Sequence, residues 1–279
     1  MLLESLNRLK LHWTDTIAAL EKQSQTSQMS LGPGRLNYQV IGVLVLATVL
    51  ISILEYYGSS NSWNTLEPLF GLFTDDPEAR LREIFRRGEY ARLYRLSYWS
   101  GMTTLAYLII PVIWVKFIMR ERLRDFGFSI KGAFKHWYIY IAMYLIVLPA
   151  VYIVAQTESF QRTYPFYEFA NRSYLDFFAW QLVYGMQFLA LEFFYRGFLI
   201  HGLKARFGLY AIFISTIPYC MIHFGKPLPE TLGAIIAGVA LGALALYTRT
   251  IWLGVAIHIS VAVTMDILSL VAQGKLGGG

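Results

Sequence analysis

Long apolar runs, broken by short charged connections, set the pattern of this chain. An apolar stretch of about 20 residues, rising about 1.5 Å per residue as a helix, matches the ~30 Å hydrocarbon layer of a bilayer. The runs predict spans at 38–57, 96–117, 136–156, 173–207, 209–224, 229–247 and 251–272. The fourth is longer than a bilayer is thick, so it must tilt, break or protrude. The third carries Pro149, a candidate kink. In the sixth, Ala234, Gly238 and Gly242 form a stripe of small residues that permits close helix packing. The fold class is all-α: a polytopic transmembrane helical bundle of about seven spans with amphipathic surface helices. A transmembrane barrel would show short alternating segments instead.

The remaining segments read as surface elements. Leu2, Leu3, Leu6, Leu9, Ile17 and Leu20 recur near helical spacing, which predicts a helix lying on the membrane surface, with a solvated tail as the alternative. Glu4, Arg8 and Lys10 interrupt this run too often for a signal peptide. Ser24 to Ser30 and then Gly32-Pro33-Gly34 predict a linker. Asp75-Asp76-Pro77-Glu78 followed by Leu81, Ile84 and Phe85 predicts a capped surface helix. The chain thus divides into an N-terminal amphipathic segment (1–36), two accessory spans with a surface helix between them (37–119), a core (120–273) and a tail (274–279).

Composition narrows the class. With 56% hydrophobic and 15% charged residues, the chain is an integral membrane protein that meets the lipid bilayer, not a soluble domain. The net charge of +6 belongs to loop lysines and arginines, and no basic patch stands apart from the spans, so nucleic acid is not a partner. The lone Cys220 allows no internal disulfide. Lys116, Arg120, Arg122, Arg124, Lys131 and Lys135 mark the second-to-third loop as cytoplasmic, which places the N-terminus inside and, with seven spans, the C-terminus outside.

The candidate chemistry lies inside the spans. Glu192 and Arg196 are four apart and share a helix face. Ionisable residues at that depth are costly and point to function, although a salt bridge that only locks packing is the plainer alternative. Glu192 lies 16 residues before Gly208 and His223 lies 15 after it; His258 lies nine beyond Arg249. On helices, all three reach the middle third of the bilayer from one side. Each histidine alone reads as a hydrogen-bonded core residue, but the three at compatible depth suggest a site. A buried glutamate with two histidines suits water activation, with the glutamate as general base, one histidine assisting and another donor holding an oxyanion. Arg196 would keep the carboxyl ionised. The same three residues are also a legitimate zinc set, although no His-Glu-x-x-His helix is present. No Gly-x-Ser-x-Gly elbow supports serine hydrolysis.

Three stretches resemble the motifs of the CPBP intramembrane endopeptidases, relatives of the type II CAAX prenyl proteases and of bacteriocin-processing and immunity proteins. They are Glu192-Phe193-Phe194-Tyr195-Arg196-Gly197-Phe198-Leu199, Tyr219 to Glu230, and Arg249 to His258, preceded by a basic Arg122-to-Gly127 segment. The resemblance covers about residues 120–270. It implies an endopeptidase that cleaves a membrane-associated peptide or protein, with Glu192 activating water, His223 assisting or binding a divalent metal such as zinc, His258 donating to the oxyanion and Arg196 orienting Glu192. It also implies a bacterial inner membrane as the location. Three positions depart from the pattern. Leu191 stands where the family has a first glutamate, Tyr219 where it has phenylalanine, and Ala262 where it often has asparagine. Asp266, one turn further on, is a partial substitute or a carboxylate at the membrane interface. A non-catalytic scaffold or immunity-type binding protein is the alternative that Leu191 and Ala262 favour; a transporter would need more intramembrane charge or broken helices. The C-terminus carries no CAAX-type cysteine, so the chain is not expected to be such a substrate itself.

Overall fold

The computed structural model describes residues 2–31, 36–130 and 133–275, with side chains omitted at 2–12, 28, 30, 31 and 135. Gly32-Pro33-Gly34, Lys131 and tail residues 276–279 lie outside the described residues. The main helices are α1 (Leu2–Leu31), α2 (Tyr38–Tyr57), α3 (Ala91–Ile118), α4 (Trp137–Ala155), α5 (Tyr174–Phe207), α6 (Tyr210–Met221), α7 (Leu228–Thr248) and α8 (Trp252–Ala272). Six of them, α2, α3, α4, α5, α7 and α8, are long and apolar enough to cross a membrane. The chain is an all-α, multi-pass membrane protein.

The expected fifth span is the exception. At 12 residues, α6 measures about 18 Å, well short of a ~30 Å hydrocarbon layer. It ends because the chain turns after Met221, through Gly225 at φ 86°. The linker expected at Ser24–Ser30 is also absent, since α1 continues to Leu31. Tertiary contact outweighs the weak helix preference of serine there: Ser24 Oγ donates to the Arg206 carbonyl at 2.7 Å.

The described residues form two compact units. The first comprises Met1–Ala47, Pro111–Trp137 and Glu192–Gly254. Its frame is the antiparallel pair α6 and α7. A methyl group on Gly238 would press on Thr216, and one on Gly242 would press on Ile212 and Ile200. The small-residue stripe therefore lets these helix axes approach. Thr231 Oγ1 donates to the His223 carbonyl at 2.8 Å and ties the connecting turn to α7. At the other end, Ile251 N donates to Gly127 O at 3.0 Å, and Trp252 Nε1 to Phe128 O at 3.3 Å. These bonds fix the basic segment beside the start of α8.

The second unit comprises Thr48–Ile110, Tyr138–Leu191 and Val255–Gly279. The acidic start before residue 77 behaves as its sequence predicts: Asp76 caps the short helix Pro77–Arg82 by accepting from Ala79 N at 2.9 Å. Its apolar side buries Leu81, and Phe85 follows, packed against Trp63 and Tyr98. Where α5 begins, Asp176 accepts from Tyr167, Ser173 and Arg172, the last through both Nε and Nη2. Asp176 is fully buried, and this set of donors compensates its desolvation. Burial, then the bond to Asp176, pushes the Tyr167 hydroxyl above its ordinary range.

Candidate active site

Helix α5 changes its winding at the stretch that the sequence singles out. It is α-helical to Glu192 and π-helical over Phe193–Ile200. Such widened i→i+5 turns recur at functional sites. All eight π-helical residues are buried. Gly197 makes the packing possible. A methyl group there would stand 2.7 Å from the Phe126 carbonyl oxygen, so the backbone of the basic segment lies directly on the widened turn.

Glu192 and Arg196 meet as the shared helix face predicts. Arg196 Nη1 is 3.3 Å from Glu192 Oε1, and each side chain is 1% exposed. The guanidinium carbon lies 4.0 Å from the centre of the Tyr219 ring on α6, a cation–π contact. Tyr219 also stands edge-on to Tyr195, whose carbonyl accepts from Ser215 Oγ at 2.8 Å. Arg196 is thus held between a carboxylate on its own helix and an aromatic face on the next. A buried ion pair adds little net stability, because desolvation offsets the attraction, yet losing one partner typically costs about 3–5 kcal/mol. The second carboxylate oxygen, Oε2, points at Gly254 in the first turn of α8, so closely that any side chain there would collide with it.

His223 does not extend a helix. It stands in the turn after α6, half-buried, with its ring 4.9 Å from that of Tyr219. His223 Nδ1 lies 2.9 Å from the Tyr219 carbonyl oxygen. A carbonyl only accepts, so Nδ1 carries the hydrogen, and in the neutral ring Nε2 holds the lone pair. Tyr219 therefore links the two sequence-predicted elements, the Glu192–Arg196 pair through its ring and His223 through its ring and carbonyl.

The other sequence-predicted residues belong to the second unit. His258 lies on α8, half-buried, and stacks on Phe188 with ring centres 5.3 Å apart and planes at 17°. Ala262 and Leu191 are buried. Asp266 is fully buried, and its Oδ2 accepts from Trp180 Nε1 at 2.8 Å and from Gln181 Nε2 at 2.9 Å. Among the described residues, no group of three or more His, Cys, Asp or Glu side chains is placed to hold a metal ion. Glu192 and His223, two of the three residues that the sequence offers as a zinc set, belong to the first unit, and His258 belongs to the second.

Two contributors are hard to read in the sequence. Tyr219 looks like one aromatic among many, and only its spacing of four from His223 and its place at the head of the second motif single it out. Gly254 is hidden within an apolar run, and nothing local reports that a carboxylate lies on its backbone.

Residues 172–264, about a third of the chain, match the family model described as "Type II CAAX prenyl endopeptidase Rce1-like". The matched segment contains Glu192, Arg196, Tyr219, His223, Gly254 and His258. No curated protein and no solved structure matches the chain.

Proposed function

We propose that this protein is an intramembrane endopeptidase that hydrolyses a peptide bond of a membrane-associated protein or peptide. The observation that carries this reading is the buried Glu192–Arg196 pair, seated on Tyr219 and Gly254 inside the segment that matches a protease family. Glu192, its charge balanced by Arg196, takes a proton from water as general base. The resulting hydroxide attacks the scissile carbonyl carbon, and the carbonyl oxygen becomes an oxyanion. Collapse of this intermediate breaks the C–N bond, and the proton held by Glu192 passes to the departing amine. His223, with Nδ1 occupied by the Tyr219 carbonyl, offers Nε2 to orient the water. His258 is assigned as the oxyanion donor. The core at 120–273 is the proposed catalytic region, the 1–36 segment and the two spans at 37–119 are accessory to it, and a bacterial inner membrane is the proposed location.

A second reading, a non-catalytic binding protein of the same fold, is favoured by Leu191 and Ala262. The test is peptide cleavage by purified, detergent-solubilised protein against lipidated and unlipidated peptides. Glu192→Gln and His258→Ala run beside the parent, with and without a chelator. General-base loss is expected to lower the rate by about 10²–10⁴-fold. Parental activity in Glu192→Gln would remove glutamate catalysis. Equally folded proteins that cleave nothing in the library would favour the binding protein.

A further inference from the structure

A half-enclosed cavity of about 270 Å³ lies in the first unit, away from Glu192. Helix α1 supplies Asp15, Thr16 and Gln23 to its wall, α5 supplies Lys204, and Arg249 closes it at the end of α7. Its two cations, Lys204 and Arg249, come from separate helices and outnumber Asp15, the one carboxylate among the lining residues. Among the described residues, no carboxylate lies within 4 Å of either Lys204 or Arg249. Asp125 in the basic segment lies 4.0 Å from Arg124 and attracts Lys204 only at longer range.

Lys204 is positioned rather than neutralised. Its Nζ lies 2.7 Å from His201 Nδ1. An ammonium group only donates, so this imidazole nitrogen accepts and the ring is neutral. The contact holds the ammonium in place and leaves its charge for something else. Arg249 points the same way. It holds a left-handed backbone at φ 55°, where glycine or asparagine would sit at lower cost, so this position retains a side chain despite strain. Arg206 and the Arg122–Arg124 segment add positive charge at this end of the unit.

We propose that this cavity binds a phosphate group, held by the Lys204 ammonium and the Arg249 guanidinium. A point charge and a planar fork from different helices suit the several oxygens of a phosphate. Basic pockets between helices at the cytoplasmic surface are where anionic lipid headgroups sit. Asp15 in the wall repels a bare anion but accepts a hydrogen bond from a hydroxyl. The cavity therefore fits a phosphodiester whose headgroup carries hydroxyls, such as a glycerol, better than free phosphate. Occupancy would brace α1 against the ends of α5 and α7.

The test measures thermal unfolding of the purified full chain in a neutral detergent. It is titrated with phosphatidylglycerol, with phosphatidylcholine, or with inorganic phosphate alone. Phosphatidylglycerol is expected to raise the midpoint in a saturable way, and phosphatidylcholine not to. Lys204→Gln and Arg249→Asn should each weaken the apparent affinity at least tenfold, whereas Arg124→Gln should leave it within twofold. Asparagine tolerates the left-handed backbone, so Arg249→Asn remains informative if Lys204→Gln fails to fold. A midpoint raised by inorganic phosphate alone, lost in the same two variants, would support the site and assign it to the soluble ion. No response in the parent, or equal losses in Arg249→Asn and Arg124→Gln, would overturn it; the latter shows diffuse surface attraction. The outcome is independent of peptide cleavage.

Discussion

The close approach of Glu192 to Gly254 makes a prediction that needs no substrate. A methyl group on Gly254 would overlap Glu192 Oε2 and stand 3.1 Å from Cδ. Ordinary contact between such atoms is about 3.5 Å, so the carboxylate must move, and with 1% exposure it has no solvent to move into. Overpacking of this kind costs about 1–3 kcal/mol. Against it, replacing glycine by alanine within a helix is worth about 0.5–1 kcal/mol, so the clash wins and Gly254→Ala should destabilise the parent. In a Glu192→Ala background the colliding atoms are gone and only the helix term remains. There Gly254→Ala should stabilise, and the sign of the effect reverses. Equilibrium unfolding of the four proteins in detergent micelles measures the coupling, expected at about 1–3 kcal/mol. Additivity within about 0.5 kcal/mol would show that Glu192 does not lie over Gly254 and would refute the site geometry. If the protein is the proposed peptidase, displacing the base by about 1 Å should also lower turnover about 10²-fold.

Two further predictions test the second unit. Asp266→Leu removes the acceptor of Trp180 Nε1 and Gln181 Nε2, and a stranded buried donor costs about 1–3 kcal/mol. Asp266→Asn keeps an acceptor and should cost less, so equal stability of Asp266→Leu and the parent would show that these bonds do not matter. For Tyr167, the folded state favours the protonated phenol. Its contribution to stability is complete below the ordinary tyrosine value of about 10 and declines as pH rises above it. Tyr167→Phe should flatten that alkaline decline in an unfolding series from pH 8 to 11, and an unchanged slope would contradict the assignment.

Much of the architecture is local enough to read from the chain. Helix α2 spans Tyr38–Tyr57 as the apolar run predicts, and α4, α7 and α8 fall within a residue or so of their predicted ends. Length and hydropathy decide these because a spanning helix must satisfy its backbone internally across a fixed thickness. The Glu192–Arg196 pairing is legible for a similar reason, since i,i+4 spacing is a property of one helix. The surface cap at Asp76 is equally local.

What the sequence could not decide depends on contacts distant in the chain. Serine-rich residues 24–30 stay helical because Ser24 finds the Arg206 carbonyl across 182 positions. Helix α6 stops short although its apolar run does not, and hydropathy carries no record of where a turn is tied to α7 by Thr231. The π-helical winding at Phe193–Ile200 coincides with the Phe126 backbone lying against Gly197. Asp266 and Tyr219 acquire meaning only from Trp180, Gln181 and Arg196 on other helices. The sequence by itself determined a multi-pass α-helical membrane protein and one buried ion pair. The tertiary structure decided what faces that pair, because the aromatic face of Tyr219 and the backbone of Gly254 come from two other helices, and no periodicity within one helix can report another.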